Sequence, residues 1–108
     1  MDINKLKLYN KYKHINFPNM EFIYIGIDSE DLYWFLIKDK NSNTSFLMLK
    51  GYGFDPDKIV KDLNLEIGVY SNDDKYIKDY NWRLYSKKNI EIHFKPILKD
   101  KLKNIINR

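Results

Sequence analysis

The sequence predicts a single α+β domain, residues 1–108, built on a mostly antiparallel sheet of five or six strands with two or three short helices packed on it. Two observations support this fold class. Runs of β-branched and aromatic residues are separated by short turn-forming runs, as in antiparallel sheets. The chain also has 44% hydrophobic and 16% aromatic residues, enough to bury a core, and no Pro/Gly/Ser-rich linker divides it.

Four segments have the composition of strands. They are EFIYIGI (21–27), LYWFLIK (32–38), TSFLMLK (44–50) and LEIGVYS (65–71). The polar runs at 28–31 and 39–43, which separate the first three, are typical of turns. We therefore expect the first three segments to form an antiparallel meander, with the fourth strand added later in the chain.

Helices are predicted at three places. Asp2 as an N-cap, followed by an apolar residue at every third position, predicts a short helix over residues 2–12. The run 55–57 (DPD) combines a capping carboxylate, a proline at the first helical position and a second acid, so a helix should extend from about Pro56 to Leu63. After Pro96, an amphipathic and basic pattern predicts a closing helix.

The alternating pattern of residues 82–94 predicts a β-hairpin. With a loop at residues 87–89, Trp82 faces Phe94, and Leu84 lies on the same apolar face. A shorter loop would place polar side chains opposite apolar ones, so the alternation selects this register. In this register Trp82 is largely buried and His93 is largely exposed.

The chain is basic, and its composition explains part of the excess. It has 17 Lys, 14 Ile and 12 Asn but neither Ala nor Gln, a bias of AT-rich codons that indicates a low-GC bacterium or one of its phages. The distribution of charge is more informative, with net +3 over residues 1–14, −6 over 15–74 and +7 over 75–108. We therefore expect a dipolar protein with a basic C-terminal third.

Several function classes find no support in the sequence. The absence of cysteine removes disulfides and thiolate chemistry, and fits a reducing compartment. No apolar run approaches the roughly 18 residues of a membrane span, and the N-terminus lacks the apolar region of a signal peptide. His14 and His93 have no metal-ligand spacing, and no nucleophile elbow or Walker-type loop occurs. We expect no catalytic residue, metal or cofactor, no membrane contact, and a location in the cytoplasm of the producing or infected cell.

Two short resemblances bear on nucleic acid. The predicted element order resembles the core of restriction endonucleases, which implies a metal-binding acid such as Asp28 or Asp31, but no acid stands two residues before Lys50, where that family needs one. Separately, residues 50–54 (KGYGF) resemble the opening of the third-strand signature of RNA-recognition motifs, and residues 23–26 (IYIG) resemble its first-strand partner. That resemblance implies bases stacked on Tyr24, Tyr52 and Phe54, although the following DPD interrupts the signature.

Surplus apolar surface is the last signal. Segments 21–27 and 32–38 are apolar on both faces, so the helices of the chain, a partner or a second copy must cover the second face of the sheet. Together with the dipolar charge, this surplus predicts a small non-enzymatic protein-binding or inhibitor protein, of the immunity or phage anti-defence type. A nucleic-acid-binding module is the first alternative, and a small metal-dependent nuclease is the second.

The expected contact surface is the basic C-terminal third. Its partner should be an acidic protein, most simply one that normally handles nucleic acid, with nucleic acid itself and a homodimer left open. The candidate contact residues are Lys75, Tyr76, Lys78, Tyr80, Arg83, Tyr85, Lys87, Lys88, His93, Lys99 and Lys103.

Overall fold

A computed structural model of the chain describes residues 1–71 and 73–97. Across these residues a six-stranded antiparallel sheet carries three α-helices, which confirms the predicted α+β fold. The strands are β1 (Lys11–His14), β2 (Phe17–Ile27), β3 (Tyr33–Ser45), β4 (Ile67–Val69), β5 (Lys75–Tyr85) and β6 (Phe94–Pro96). The helices are α1 (Phe46–Gly51), α2 (Pro56–Leu63) and α3 (Lys87–His93), and a short 3-10 helix spans Ile3–Lys5. The strand order in the sheet is β4-β5-β3-β2-β1-β6.

The central strand β3 is buried on both faces. Trp34 and Leu36 point to one face, Phe35 and Ile37 point to the other, and all four are at most 1% exposed. Helices α1 and α2 cover the first face, which we call the α1–α2 face. Helix α3 and the N-terminal segment cover the second, the α3 face. The helices and the N-terminal segment of the chain therefore cover both apolar faces of the sheet.

Helix α2 begins and ends where the sequence predicts. The Asp55 side chain accepts a hydrogen bond from the backbone N–H of Lys58, and Pro56 is the first helical residue. Asn64 ends the helix in the left-handed conformation, with φ 52°. Strand β4 likewise lies within the predicted fourth strand, so both elements are confirmed.

The predicted third strand at residues 44–50 is wrong, because most of it is helix α1. The Ser45 hydroxyl accepts a hydrogen bond from the backbone N–H of Leu47 and caps the helix. Phe46 and Leu49, three residues apart, are buried, whereas Leu47 is 61% exposed. The capping serine and the spacing of one buried apolar residue per turn therefore favour a helix in this segment, although its apolar composition is also typical of a strand.

Strand β3 continues through the turn predicted at residues 39–43. Its pairing with β5 shifts register between Lys38 and Asn43, so the intervening residues form an irregular bulge. The Asp39 carboxylate accepts hydrogen bonds from the Asn41 backbone N–H and the Ser42 hydroxyl, which stabilises the bulge locally. The predicted meander is therefore reduced to the β2–β3 hairpin, and β3 pairs next with β5.

The predicted N-terminal helix over residues 2–12 is also wrong beyond its first turn. Asp2 does act as the cap, since its side chain accepts from the Asn4 backbone N–H, but the 3-10 helix ends at Lys5. The Tyr12 hydroxyl accepts from the Lys7 backbone N–H and donates to the Lys5 carbonyl oxygen. These bonds hold the segment against β1, a strand that the sequence analysis did not identify.

The predicted C-terminal hairpin is wrong, because its second half forms α3. The Ser86 hydroxyl caps this helix by accepting from the Asn89 backbone N–H. Ile90 and Phe94, four residues apart, are buried against the α3 face, and Ile92 is 59% exposed. The apolar residues of this segment are therefore buried or exposed according to helical spacing, and the alternating pattern that predicted a strand is misleading here.

The side-chain environments predicted from that hairpin change accordingly. Trp82 pairs with Leu36 of β3 and is half-buried on the α1–α2 face, and His93 is half-buried on α3. The predicted burial of Trp82 is therefore found in part, through its packing on the α1–α2 face, whereas the predicted exposure of His93 is wrong. The predicted closing helix after Pro96 lies almost wholly in residues 98–108, outside the described residues.

The role of α3 as a cover predicts a sharp contrast within one helix. Ile90→Ala removes a side chain that is 0% exposed, and should lower the free energy of unfolding by about 2–5 kcal/mol. Ile92→Ala is the matched control and should change it by less than about 0.5 kcal/mol. Urea unfolding followed by tryptophan fluorescence measures both, and equal losses would contradict this packing of α3.

Candidate binding surface

The candidate contact residues divide between the two faces of the sheet. On β5, Tyr80 packs on the α1–α2 face, whereas Arg83 and Tyr85 alternate to the α3 face. Lys87 and Lys88 are exposed in the first turn of α3. Lys99 and Lys103 lie outside the described residues. The structure therefore places Arg83 on the face of the sheet opposite that of Tyr80.

The three tyrosines among the candidate contact residues have different environments. Tyr85 packs among Phe22, Phe35 and Phe94, and this burial raises the pKa of its hydroxyl. Tyr80 packs against the core of the α1–α2 face. The ring of Tyr76 lies over Gly68, where a Cβ atom would clash with it, and packs at a tilt against the ring of Tyr70 with 4.5 Å between centroids. Tyr80 and Tyr85 are thus used in core packing, and Tyr76 belongs to the β4 edge.

The cations of β5 lie beside acidic groups. The Lys78 ammonium is 3.7 Å from the Glu66 carboxylate across the β4–β5 pair. Lys75 lines a surface cavity together with Asp57, Asp73 and Asp74. The positive charge of the first half of β5 is therefore locally offset, which weakens its attraction for an acidic partner.

Lys87 and Lys88 differ from those cations. None of the ion pairs found within residues 1–71 and 73–97 involves either lysine. Both lysines occupy the first turn of α3, which contains no acid. The helix dipole disfavours positive charge there. These two ammonium groups are therefore exposed, and they form no ion pair with Glu91, the acid one turn further along the same helix.

The structure brings the two histidines together, which the sequence analysis did not foresee. The rings of His14 and His93 stack in parallel, with 5.1 Å between centroids and 6° between planes. His14 is 3% exposed, and its ring also contacts Phe17 and Phe94. The pairing of β1 with β6, which places His14 opposite Phe94, creates this contact between distant parts of the chain.

The buried His14 packs among aromatic rings and takes part in a local hydrogen bond. Its Nδ1 atom accepts a hydrogen bond from the Asn16 backbone N–H. Burial lowers the pKa of His14, the nearby His93 lowers it further, and a hydrogen bond with Asn89 partly offsets both effects. In the part of the chain that the structure describes, no three His, Asp or Glu side chains are grouped as a metal site would require.

Asp28, one of the two acids suggested for a nuclease, is fully engaged in a turn. Its carboxylate accepts hydrogen bonds from the Glu30 and Leu32 backbone N–H groups and from the Trp34 indole N–H at 2.8 Å. The indole bond is the main reason that the pKa of this carboxyl is lowered, and the backbone bonds add to it against the opposing effect of burial. Asp28 therefore holds the β2–β3 turn and Trp34, and Asp31 is exposed with φ 62°.

The resemblance to RNA-recognition motifs is not supported by the positions of its aromatic residues. Lys50 and Gly51 end helix α1, so the signature does not lie on a strand. Tyr24 packs on the α3 face, whereas Tyr52 and Phe54 contact Trp34 of the α1–α2 face. Residues on opposite faces cannot form one base-stacking platform.

Comparison with known proteins adds no homologue. Family models, curated proteins and solved structures gave no significant match to the chain. Among the described helices, none has the length and apolar character needed to cross a membrane. The function must therefore be inferred from the surface of the protein itself.

The environment of His14 predicts a loss of stability on mild acidification. The folded state disfavours protonated His14, whereas the unfolded chain takes up the proton near pH 6.5. The contribution is therefore complete above pH 6.5 and falls below it, by at most about 1.4 kcal/mol per pH unit. Urea unfolding between pH 5 and pH 8 measures it. His14→Phe, which keeps a ring but cannot titrate, should flatten the profile, and an unchanged slope would contradict this origin.

The bonds to Asp28 predict a structural role. Asp28→Ala leaves the Trp34 indole and two backbone N–H groups without their acceptor, and should lower the melting temperature by several degrees. Asp31→Gly is the control, because glycine tolerates the positive φ and no such bonds are lost. Thermal unfolding by circular dichroism compares them. A stable Asp28→Ala variant that has lost magnesium-dependent cleavage of DNA or RNA would instead support a nuclease.

Proposed function

We propose that the protein is a small non-enzymatic binding protein that engages an acidic protein through the exposed cations of its C-terminal third. Lys87 and Lys88 form the centre of this surface, and Arg83 lies on the preceding strand. The proposed setting is the cytoplasm of a low-GC bacterium or of a phage-infected cell, where such a protein would act as an immunity or anti-defence inhibitor. The partner would be one that normally handles nucleic acid.

The observation that carries the proposal is the unpaired positive charge at the start of α3. Two adjacent exposed lysines oppose the helix dipole, and no ion pair of the described residues neutralises them. The two lysines in the first turn destabilise helix α3. An acidic group of a partner would remove this destabilisation on binding, which would account for the presence of the lysines.

The distribution of charge favours a protein over free nucleic acid. Residues 15–74 carry net −6, and the acids beside Lys75 and Lys78 keep part of this charge on the same sheet. A long polyanion would meet these acids as well as the lysines, whereas a compact acidic patch can contact α3 alone. Charge at the rim of such an interface mainly accelerates encounter and sets orientation.

Charge reversal at α3 tests this proposal without damage to the fold. Lys87→Glu with Lys88→Glu places acids in a helical first turn, where the helix dipole favours each by about 0.3–1 kcal/mol. Repulsion from Glu91, one turn further on, offsets about 0.2–0.5 kcal/mol per pair, so the melting temperature should change little. Proteins captured from a lysate of infected low-GC bacteria by the wild type should be lost by the double variant. For a captured partner, association measured by surface plasmon resonance should slow about tenfold or more.

The matched control is Lys38→Glu with Lys40→Glu, which changes the same charge on exposed lysines of β3. This control should retain the captured partner. Unimpaired binding by the α3 double variant would refute the proposed surface. If the wild type binds a plain duplex DNA or single-stranded RNA oligomer at low salt and loses it steeply as salt rises, the contact is with phosphate, and the nucleic-acid alternative is correct.

A further inference from the structure

Strand β4 forms one edge of the sheet. It pairs with β5 through Ile67 opposite Ile77 and Val69 opposite Lys75, and no other strand of the described residues pairs with it. The backbone N–H of Lys78 donates to the Glu66 carbonyl oxygen, and that of Tyr70 donates to the Asp74 carbonyl oxygen. Since backbone groups alternate along a strand, Gly68 also faces β5, and the N–H and C=O groups of Ile67 and Val69 point outward.

The side chains of this edge are apolar. Ile67 is 46% exposed and Val69 is 61% exposed, and neither residue is charged. The opposite edge differs, because β6 contains Lys95 and Pro96, two residue types that discourage further strand pairing. The β4 edge has neither a charged residue nor a proline within its three residues.

We propose that the β4 edge pairs antiparallel with the β4 edge of a second copy of this chain. The sequence Ile67-Gly68-Val69 is apolar, glycine, apolar in either direction, so a twofold axis at Gly68 places each Ile67 opposite the partner's Val69. The outward N–H and C=O groups of these residues then exchange hydrogen bonds across the axis. The two sheets become one continuous sheet.

Gly68 suits the centre of such a pairing. In this register the two Gly68 residues form the closely spaced pair of the ladder, which brings their backbones nearest to each other. The ring of Tyr76 covers Gly68 on one face of the sheet, and Gly68 has no side chain of its own that would have to fit between the two strands. The Tyr70–Tyr76 ring pair flanks the contact and extends its apolar area.

Local charge also favours a second copy over the acidic partner of α3. Glu66, Asp73 and Asp74 surround the edge together with Lys75 and Lys78, so the neighbourhood is close to neutral. Two copies of this edge therefore repel each other only weakly, whereas a strongly acidic surface finds no net positive charge there to attract it. The edge is also remote from α3, because β5 separates residues 77 and 85 by about 26 Å at 3.3 Å per residue. Both contacts can therefore form at once.

Sedimentation equilibrium tests the pairing. The wild-type chain should shift from monomer toward dimer between about 20 µM and about 1 mM, the behaviour of a weak interface smaller than about 1,200 Å². Val69→Lys should remain monomeric throughout, because it introduces two like charges beside the axis. Ile92→Lys, a change at an equally exposed isoleucine of α3, should dimerise like the wild type. A wild type that stays monomeric, or a Val69→Lys variant that dimerises normally, would overturn the proposal.

Amide hydrogen exchange by NMR locates the contact independently of any variant. The Ile67 and Val69 amides should exchange more slowly as protein concentration rises, whereas the Gly68 amide, which already faces β5, should change little. Protection of the Ile67 and Val69 amides at every concentration would mean that another segment of the same chain covers the edge. Free exchange of both at about 1 mM would exclude the pairing. Neither result depends on the partner of α3.

Discussion

The structure depends on the burial of β3 from both sides. Four consecutive apolar residues, Trp34 to Ile37, alternate between the two faces, and none is more than 1% exposed. A sheet of this kind cannot leave one face in water, because each large apolar side chain left exposed forfeits about 1.5–3 kcal/mol. The positions of α1, α2 and α3 follow from this requirement, since each helix supplies apolar side chains to one face.

The same requirement determines which charged side chains remain exposed to solvent. On β5, side chains that face the helices pack against the core, as the partly buried Tyr80 and Tyr85 do. On α3, Ile90 is committed to the core, and the lysines of the first turn are left in solvent. Helix α3 therefore has a structural side and a free side, and its free side carries the charge that the proposed function uses.

The sequence predicts best those elements whose determinants are local. Helix α2 is identified by Asp55 and Pro56 alone, and the β2–β3 hairpin by its two apolar runs around a polar turn. Helices α1 and α3 span only six and seven residues, and their apolar residues fit a strand as well as a helix. The capping serines, Ser45 and Ser86, are the local signals that could have distinguished them.

Contacts that depend on topology could not be predicted. The stacking of His14 on His93 requires β1 to pair with β6, and neither strand is evident in the sequence. Likewise, the engagement of Asp28 by Trp34 depends on the geometry of a single turn. Of the candidate site, the sequence located the basic segment, whereas the structure separates its free cations from those beside acids.

The central claim is that α3 belongs to the cooperative core because it completes the burial of β3. Native-state hydrogen exchange in increasing denaturant measures this most directly, by comparing the amide of Phe35 in β3 with those of Ile90 and Phe94. The account predicts that all three exchange through the same global unfolding, with the same free energy and the same denaturant dependence. Exchange of Ile90 and Phe94 through an opening several kcal/mol less costly than that of Phe35 would show that α3 is not required to close the core.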